Sequence, residues 1–267
     1  LIGGENNGSW SRKDFQTAHA LEIYDENLIV AVSSPESPEK NLRPAVYSFD
    51  GANWRLIRGS MDWEEDYHGI YELFTHSDNS LYAGMIGDAG HGDVLRYSEG
   101  NWEKVGGDGI NNSWINPSMD WILRFADYQG QLIALANRTP PTNGRFSTIW
   151  AFDGNNWAPL ARDCGSSKLK KLHNINAVEV ISDNLLIGAG GAPAGQASIW
   201  RLDNDGCWEL FAGFGSNGSW GKRDGKGYLT YRSAREYVYR MVTIDDDLYV
   251  GFGASPGSAQ VWRLQRN

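Results

Sequence analysis

Apolar and polar residues alternate along this chain in short runs, and turn-forming residues interrupt them. One run type recurs: Val46-Tyr-Ser-Phe49, Val94-Leu-Arg-Tyr97, Ile149-Trp-Ala-Phe152, Ile199-Trp-Arg-Leu202 and Val261-Trp-Arg-Leu264. After the first four comes a turn closed by tryptophan, at Trp54, Trp102, Trp157 and Trp208, followed by another short run such as Trp54–Ile57 or Trp102–Val105. Upstream of each lies a pair of runs around a turn: Leu21–Tyr24 with Leu28–Val32, Leu73–Thr75 with Leu81–Met85, and Leu123–Phe125 with Leu132–Leu135. The last two pairs are Val178–Ile181 with Leu185–Ile187, and Met241–Ile244 with Leu248–Gly251. Their turns carry Asp-Glu-Asn, Asp-Asn-Ser, Gln-Gly-Gln, Asp-Asn and Asp-Asp-Asp, which is hairpin chemistry. No segment sustains the roughly 3.6-residue apolar period of a helix.

Four antiparallel strands repeated five times at about 50-residue spacing predict an all-β, five-bladed β-propeller with four strands per blade. A linear β-solenoid is the alternative, and its repeats are usually shorter. The repeats run roughly over 5–57, 58–105, 106–160, 161–211 and 212–267, within one domain spanning 1–267. The last repeat stops after its third strand, and Leu1-Ile-Gly-Gly4 matches Lys104-Val-Gly-Gly107, a fourth strand. The segment 1–4 is therefore expected to pair with Gln260–Leu264 and close the ring.

Composition agrees with short strands and tight turns: 267 residues with 32 Gly and 12 Trp. The net charge of −9 supplies no basic footprint for nucleic acid. No apolar run reaches the roughly 20 residues of a membrane-spanning helix. The chain begins at Leu1 rather than Met, so residue 1 is expected to follow a removed leader or an artificial start. Sequons at Asn7, Asn111, Asn137 and Asn217 read as turn residues, or as glycosylation sites if the chain is secreted by a eukaryote. Cys164 follows a fourth strand on one face and Cys207 precedes a fourth strand on the opposite face, a strand of roughly 17 Å apart, so no Cys164–Cys207 disulfide is expected.

The connection after the fourth strand has its own motif: Gly3-Gly-Glu-Asn-Asn-Gly-Ser-Trp10, Gly106-Gly-Asp-Gly-Ile-Asn-Asn-Ser-Trp114 and Ala212-Gly-Phe-Gly-Ser-Asn-Gly-Ser-Trp220. The second repeat instead has Arg58-Gly-Ser-Met-Asp-Trp63, and the fourth has lost the motif at Arg162-Asp-Cys-Gly-Ser-Ser. The motif resembles bacterial propeller repeats of the VGGDGxNGSW type and, more loosely, the five-bladed lectin tachylectin-2. The resemblance covers all five repeats in layout and three in the loop motif. It implies the fold and a carbohydrate or other small ligand.

In a propeller these connections share a face with the loops between second and third strands, which are long and rich in Gly and Pro, while the opposite loops are short. Long loops on a rigid scaffold are where binding concentrates. Trp10, Trp114 and Trp220, with Asn7, Asn111 and Asn217, are candidate sugar contacts; the competing reading makes each Trp a wedge between blades. Aligning first strands by their hairpins places Gln16, His68, Asp120, His173 and Glu236 together at the channel mouth. His68, Asp120, His173 and Glu236 are candidate ligands for a divalent metal on the axis. Four positions on come Ala20, Glu72, Arg124, Ala177 and Arg240, with Glu22 and Glu179 two further: inter-blade ion pairs, or, through Arg124 and Arg240, an anion site. His91, in Gly90-His-Gly-Asp93, stands on the loop-rich face, whereas His19 and His76 read as strand-end and turn residues. No nucleophile elbow or phosphate loop is present. Three function classes follow: an extracellular ligand-binding module, lectin-like; a hydrolase or lyase with a His and carboxylate site at the channel mouth; and a protein-interaction platform.

Overall fold

The computed structural model describes residues 3, 9–10, 15, 17–33, 43–63, 67–87, 91–115, 119–138, 146–160, 174–190, 197–213, 219–220, 237–253 and 260–264. These residues are all-β, with a single 3-10 turn at Ile110–Asn112. The first four strands are β1 (Thr17–Tyr24), β2 (Asn27–Ser33), β3 (Ala45–Phe49) and β4 (Trp54–Arg58). The next are β5 (Tyr67–Thr75), β6 (Leu81–Gly87), β7 (Val94–Ser98) and β8 (Asn101–Gly106). Then come β9 (Trp121–Tyr128), β10 (Gln131–Arg138), β11 (Phe146–Phe152) and β12 (Trp157–Pro159). They are followed by β13 (Asn174–Ile181), β14 (Asn184–Gly190), β15 (Ser198–Leu202) and β16 (Trp208–Ala212), and finally β17 (Tyr237–Ile244), β18 (Asp247–Gly253) and β19 (Gln260–Leu264).

Each set is an antiparallel meander, so the hairpins read from the sequence are the hairpins of the fold. Leu1, Ile2 and Gly4 lie outside the described residues, as does any pairing they make. Gly3 is described, and a Cβ there would meet Trp54 at 3.2 Å, just as one on Gly106 would meet Trp157 at 2.9 Å. Gly3 and Gly106 thus occupy matching places against the Trp of a fourth strand, as the alignment of the two segments expects.

The turns explain the hairpins. Asp25-Glu26, Ser182-Asp183, Asp245-Asp246, Gln129-Gly130 and Glu99-Gly100 all hold positive φ at both central residues. That is the mirror-image turn whose twist matches a right-handed strand pair. The turns before β4 and β12 are tied differently. The Asp50 carboxylate accepts from the backbone N–H groups of Ala52 and Asn53, and Asp153 from those of Asn155 and Asn156. These bonds favour the ionised form and hold both carboxyls below their ordinary range.

Four first strands, β1, β5, β13 and β17, share one irregularity. Register shifts at Ala18/Ala20, Ile70/Glu72, Ile175/Ala177 and Val238/Arg240 leave His19, Tyr71, Asn176 and Tyr239 bulged. Directly after each bulge, Ala20, Glu72, Ala177 and Arg240 face Ala31, Gly84, Gly188 and Gly251. The hairpin alignment of these four positions is therefore the structural one. The small residues opposite admit the next strand set: a Cβ on Gly84 would meet the Ile122 carbonyl oxygen at 2.7 Å, and one on Gly188 would meet Val238 at 2.4 Å.

The chain groups into two compact units, 1–125 with 136–138 and 152–158, and 126–135 with 139–151 and 159–267. In the first, Ala20, Ile29, Val46, Ile70, Leu81 and Met85 form one core with Trp63 and Tyr67. In the second, Ala177, Leu186, Ile199, Val238, Leu248 and Val250 do the same with Trp220. One link repeats in both: the Thr75 hydroxyl donates to the Ile23 carbonyl at 2.7 Å, and that of Thr243 to the Val180 carbonyl at 3.3 Å.

Cys207 is disulfide-bonded, and none of the described cysteines is free. This overturns the expectation of an unbridged pair. The chain's one other cysteine, Cys164, lies outside the described residues. The strand-length argument fixed both residues at strand ends. No helix among the described residues is long and apolar enough to cross a membrane.

Candidate functional site

The loop motif is best seen between β8 and β9. Gly107 adopts φ +105°, and its N–H donates to the Ser113 hydroxyl at 2.8 Å. The Gly109 N–H donates to the Trp114 carbonyl at 2.9 Å, closing the loop. The Trp114 indole N–H then reaches the Gly92 carbonyl, just before β7, at 2.9 Å, and its ring meets Trp157 edge-on at 5.5 Å. Trp114 is only 3% exposed. Trp220 repeats the arrangement: 4% exposed, with its N–H on the Ala197 carbonyl at 2.7 Å and its ring against Trp262 at 5.9 Å. The variant loop does the same, with Trp63 donating to the Pro44 carbonyl at 2.6 Å and packing on Trp102.

These tryptophans are wedges. Trp114 and Trp220 have no open face for a sugar ring, which corrects their assignment as stacking platforms. Trp10 is half-buried between Tyr47 and Trp54. Asn111 turns its amide onto the Val105 carbonyl at 3.1 Å. Asn7 and Asn217 lie outside the described residues. Asn137 is wholly buried, so its sequon is closed to an oligosaccharide.

Beneath the Trp114 loop lies a cluster of charges. Gly92 is clamped: its N–H donates to the Met119 carbonyl at 3.0 Å, and a Cβ on it would meet the Trp121 nitrogen at 2.7 Å. That fixes the two residues flanking it, His91 and Asp93. The Asp93 side chain is fully buried. Its Oδ2 accepts from the Tyr67 hydroxyl at 2.7 Å and from Lys104 Nζ at 2.7 Å. Lys104 Nζ also lies 2.7 Å from Asp108 Oδ2. His91, Asp93 and Asp108 each bring one ligand atom within 4.8 Å of the others. A Cβ on Gly107 would stand 1.9 Å from Asp93 Oδ1, so only glycine fits over the carboxylate.

Burial pushes the Asp93 carboxyl up, outweighing the pull of Lys104 and Tyr67. Burial would lower Lys104, but its hydrogen bonds to Asp108 and Asp93 prevail and hold the ammonium above its usual range.

The axial candidates fare differently. His68 is exposed in a second bulge of β5, and Asp120 is half-exposed, its backbone joined to Gly87 and Asn137. His173, Glu236 and Gln16 lie outside the described residues. Among the described residues, the group close enough to share an ion is His91, Asp93 and Asp108, and neither His68 nor Asp120 is in it. Arg124 pairs with Glu72 at 3.4 Å and lies over the Tyr71 ring, the expected ion pair between strand sets. Burial pushes the Glu179 carboxyl up, against hydrogen bonds from Thr243 and the charge of Arg240. His76 is buried in its turn against Asp78, as read from the sequence.

The sequence reading singled out His91 and missed Tyr67, Asp93, Lys104 and Asp108. The signal was available. Strand register places Asp93 level with Ala45 and Ser198, and Lys104 level with Leu56 and Leu210. A charged pair where two other repeats are uncharged marks the site.

The chain matches no protein-family model and no curated protein sequence. Among solved structures it is similar to a luciferin-regenerating enzyme, at 12% identity over 91% of this chain and 75% of that one, with a TM-score of 0.51. It is also similar to a glucose dehydrogenase-like oxidoreductase of Thermus thermophilus, at 14% identity over 97% and 85%, with a TM-score of 0.50. The GH32 β-fructofuranosidase of Bombyx mori is 10% identical over 90% of this chain, with a TM-score of 0.46, and this chain spans 57% of its length. The first two likenesses carry the fold: these are propeller enzymes, and the chain is an all-β protein of the propeller kind.

Proposed function

We propose that the protein is a five-bladed propeller domain of the VGGDGxNGSW-repeat type. Its working site is the His91, Asp93, Lys104 and Asp108 cluster on the loop-rich face, and its ligand is a carbohydrate. One observation carries the placement. The Trp wedge and its Gly–Ser hydrogen bond form around Trp220 with Ser198 and Leu210 in place of Asp93 and Lys104, so the fold does not require the charges. Buried charge is costly to folding, and charge that the scaffold does not need is best explained by a ligand. Half-buried His91 and exposed Asp108 present an imidazole and a carboxylate side by side, acceptors and donors suited to paired hydroxyls. The loop-motif resemblance supports the sugar class, and the disulfide at Cys207 supports an oxidising, extracellular setting.

The test is calorimetric titration with a panel of neutral and acidic mono- and oligosaccharides. Binding by the wild type that is lost in Asp108→Asn and His91→Gln, at unchanged melting temperature, is the expected outcome. A panel with no binder up to millimolar concentration removes the sugar reading.

A second reading, hydrolysis, draws on Asp93 and Asp108. A buried carboxyl that burial pushes up, beside a more exposed one, is the arrangement acid–base chemistry uses. Release of reducing ends from a saccharide panel, abolished by Asp108→Asn, would favour it over binding alone.

A further inference from the structure

We propose that His91, Asp93 and Asp108 form a binding site for a first-row divalent cation of the Zn²⁺ or Mn²⁺ class, and that Lys104 is a displaceable internal cation standing in that place. The inference concerns the same cluster as the functional reading, but it does not need the sugar.

Three observations converge. The imidazole and two carboxylates bring their ligand atoms within 4.8 Å of one another, close enough to share one ion. One imidazole with two carboxylates suits first-row divalent metals better than Ca²⁺, which takes oxygens only. The second observation is Asp93 Oδ1, which belongs to a side chain with no solvent exposure and has no hydrogen-bond partner. A buried carboxylate oxygen left bare costs free energy unless something cationic meets it, and Oδ2 alone carries both Tyr67 and Lys104. The third is the stand-in itself. Lys104 Nζ lies 2.7 Å from an oxygen of each carboxylate, as a positive charge bridging the two. One ammonium leaves one negative charge of the pair uncompensated; a divalent ion compensates both and takes the imidazole too.

The exchange is mechanically simple. Lys104 is a four-carbon stem on β8 with its side chain 20% exposed, so its ammonium can turn to solvent when an ion enters. Asp93 and the backbone of His91 stay fixed by clamped Gly92 and by Tyr67. Asp108 lies next to Gly107 and Gly109, which hold positive φ, and closes the site from the loop.

The experiment uses the whole chain with metal alone, without saccharide. Wild type, Lys104→Gln, His91→Gln and Asp108→Asn are titrated with Zn²⁺ by calorimetry, and melting temperatures are recorded. One equivalent should bind the wild type, at least tenfold more tightly after Lys104→Gln, and binding should be lost in the other two variants. Should Lys104→Gln fail to fold, Co²⁺ absorption in the wild type supplies the readout: a d–d band at one equivalent that Zn²⁺ quenches and His91→Gln abolishes. The proposal is overturned if neither wild type nor Lys104→Gln takes up stoichiometric metal, or if uptake survives both His91→Gln and Asp108→Asn. Metal uptake without any saccharide binding would remove the sugar reading and leave this site standing.

Discussion

Trp114 and Trp220 close the same loop in two different settings. In both, the glycine at the motif's second position sits at strongly positive φ, 105° at Gly107 and 108° at Gly213. In both, its N–H donates to a serine, Ser113 at 2.8 Å or Ser219 at 2.6 Å. In both, the indole N–H caps the carbonyl just before a third strand. What lies under the glycine differs. At Gly107 it is the carboxylate of Asp93; at Gly213 it is the backbone and Cβ of Ser198. The scaffold is therefore made by Gly, Ser and Trp, and the charges near Trp114 are an addition to it.

The largest effect should come from the shared element. Trp114→Ala and Trp220→Ala each remove a buried indole and strand a backbone carbonyl, and each should cost about 4 kcal/mol in urea unfolding. Near-equal losses are expected if the wedge is the same device in both places. A loss under about 1 kcal/mol at Trp114 with a large one at Trp220 would mean that the charges hold the loop by themselves.

Exchanging the residues under the loop tests the difference. Lys104→Leu alone leaves Asp93 buried without its cation and should cost about 3 kcal/mol. The double change Asp93→Ser with Lys104→Leu imports the uncharged pair and should fall within about 1 kcal/mol of wild type. It should also flatten the pH profile. The raised Asp93 carboxyl binds its proton more tightly folded than unfolded. Its contribution therefore falls as pH rises from the ordinary value of 3.8 through the raised one. Lys104, raised above 10.5, gives stability that is full below that value and is lost as pH climbs through the folded one. Both slopes should vanish in the double variant. A double variant as damaged as Lys104→Leu would show that the fold depends on the pair.

The disulfide sharpens the contrast from the other unit. The bond at Cys207 should contribute about 2–4 kcal/mol, seen as a lower urea midpoint after reduction. Iodoacetamide labelling of denatured protein should find thiols only after reduction.

The fold was legible because its signals are local. Two-residue turns and Trp-closed corners fix hairpins within about 15 residues. The bulge falls just before Ala20, Glu72, Ala177 and Arg240 alike, so counting back from each hairpin kept these positions in true register. The site was less legible because it is assembled across strands. Tyr67 on β5, Asp93 before β7, Lys104 on β8 and Asp108 in a loop meet only after pairing. His91 was visible alone, and its neighbours required comparison of Ala45, Asp93 and Ser198 as equivalents. The wedge role of Trp114 also depended on an acceptor, the Gly92 carbonyl, that composition cannot show.

The smallest expected effect compares turns of one conformation at their second residue, glycine in two and glutamate in a third. Gln129-Gly130 and Glu99-Gly100 carry glycine where φ is +73° and +85°. Asp25-Glu26 reaches +61° with a long side chain at the same place. A non-glycine residue there crowds its Cβ against the following carbonyl, at roughly 1 kcal/mol. Glycine relieves that crowding but gives freedom back to the unfolded chain, worth about 0.4–1 kcal/mol. Relief should narrowly prevail, so Glu26→Gly should raise stability by up to about 0.5 kcal/mol. The reverse change, Gly130→Ala, should lower it by a similar amount. Thermal melts of both variants measure the pair. Equal and opposite shifts would make turn conformation the common cause, whereas a loss in Glu26→Gly would show that the Glu26 side chain contributes a contact beyond its backbone.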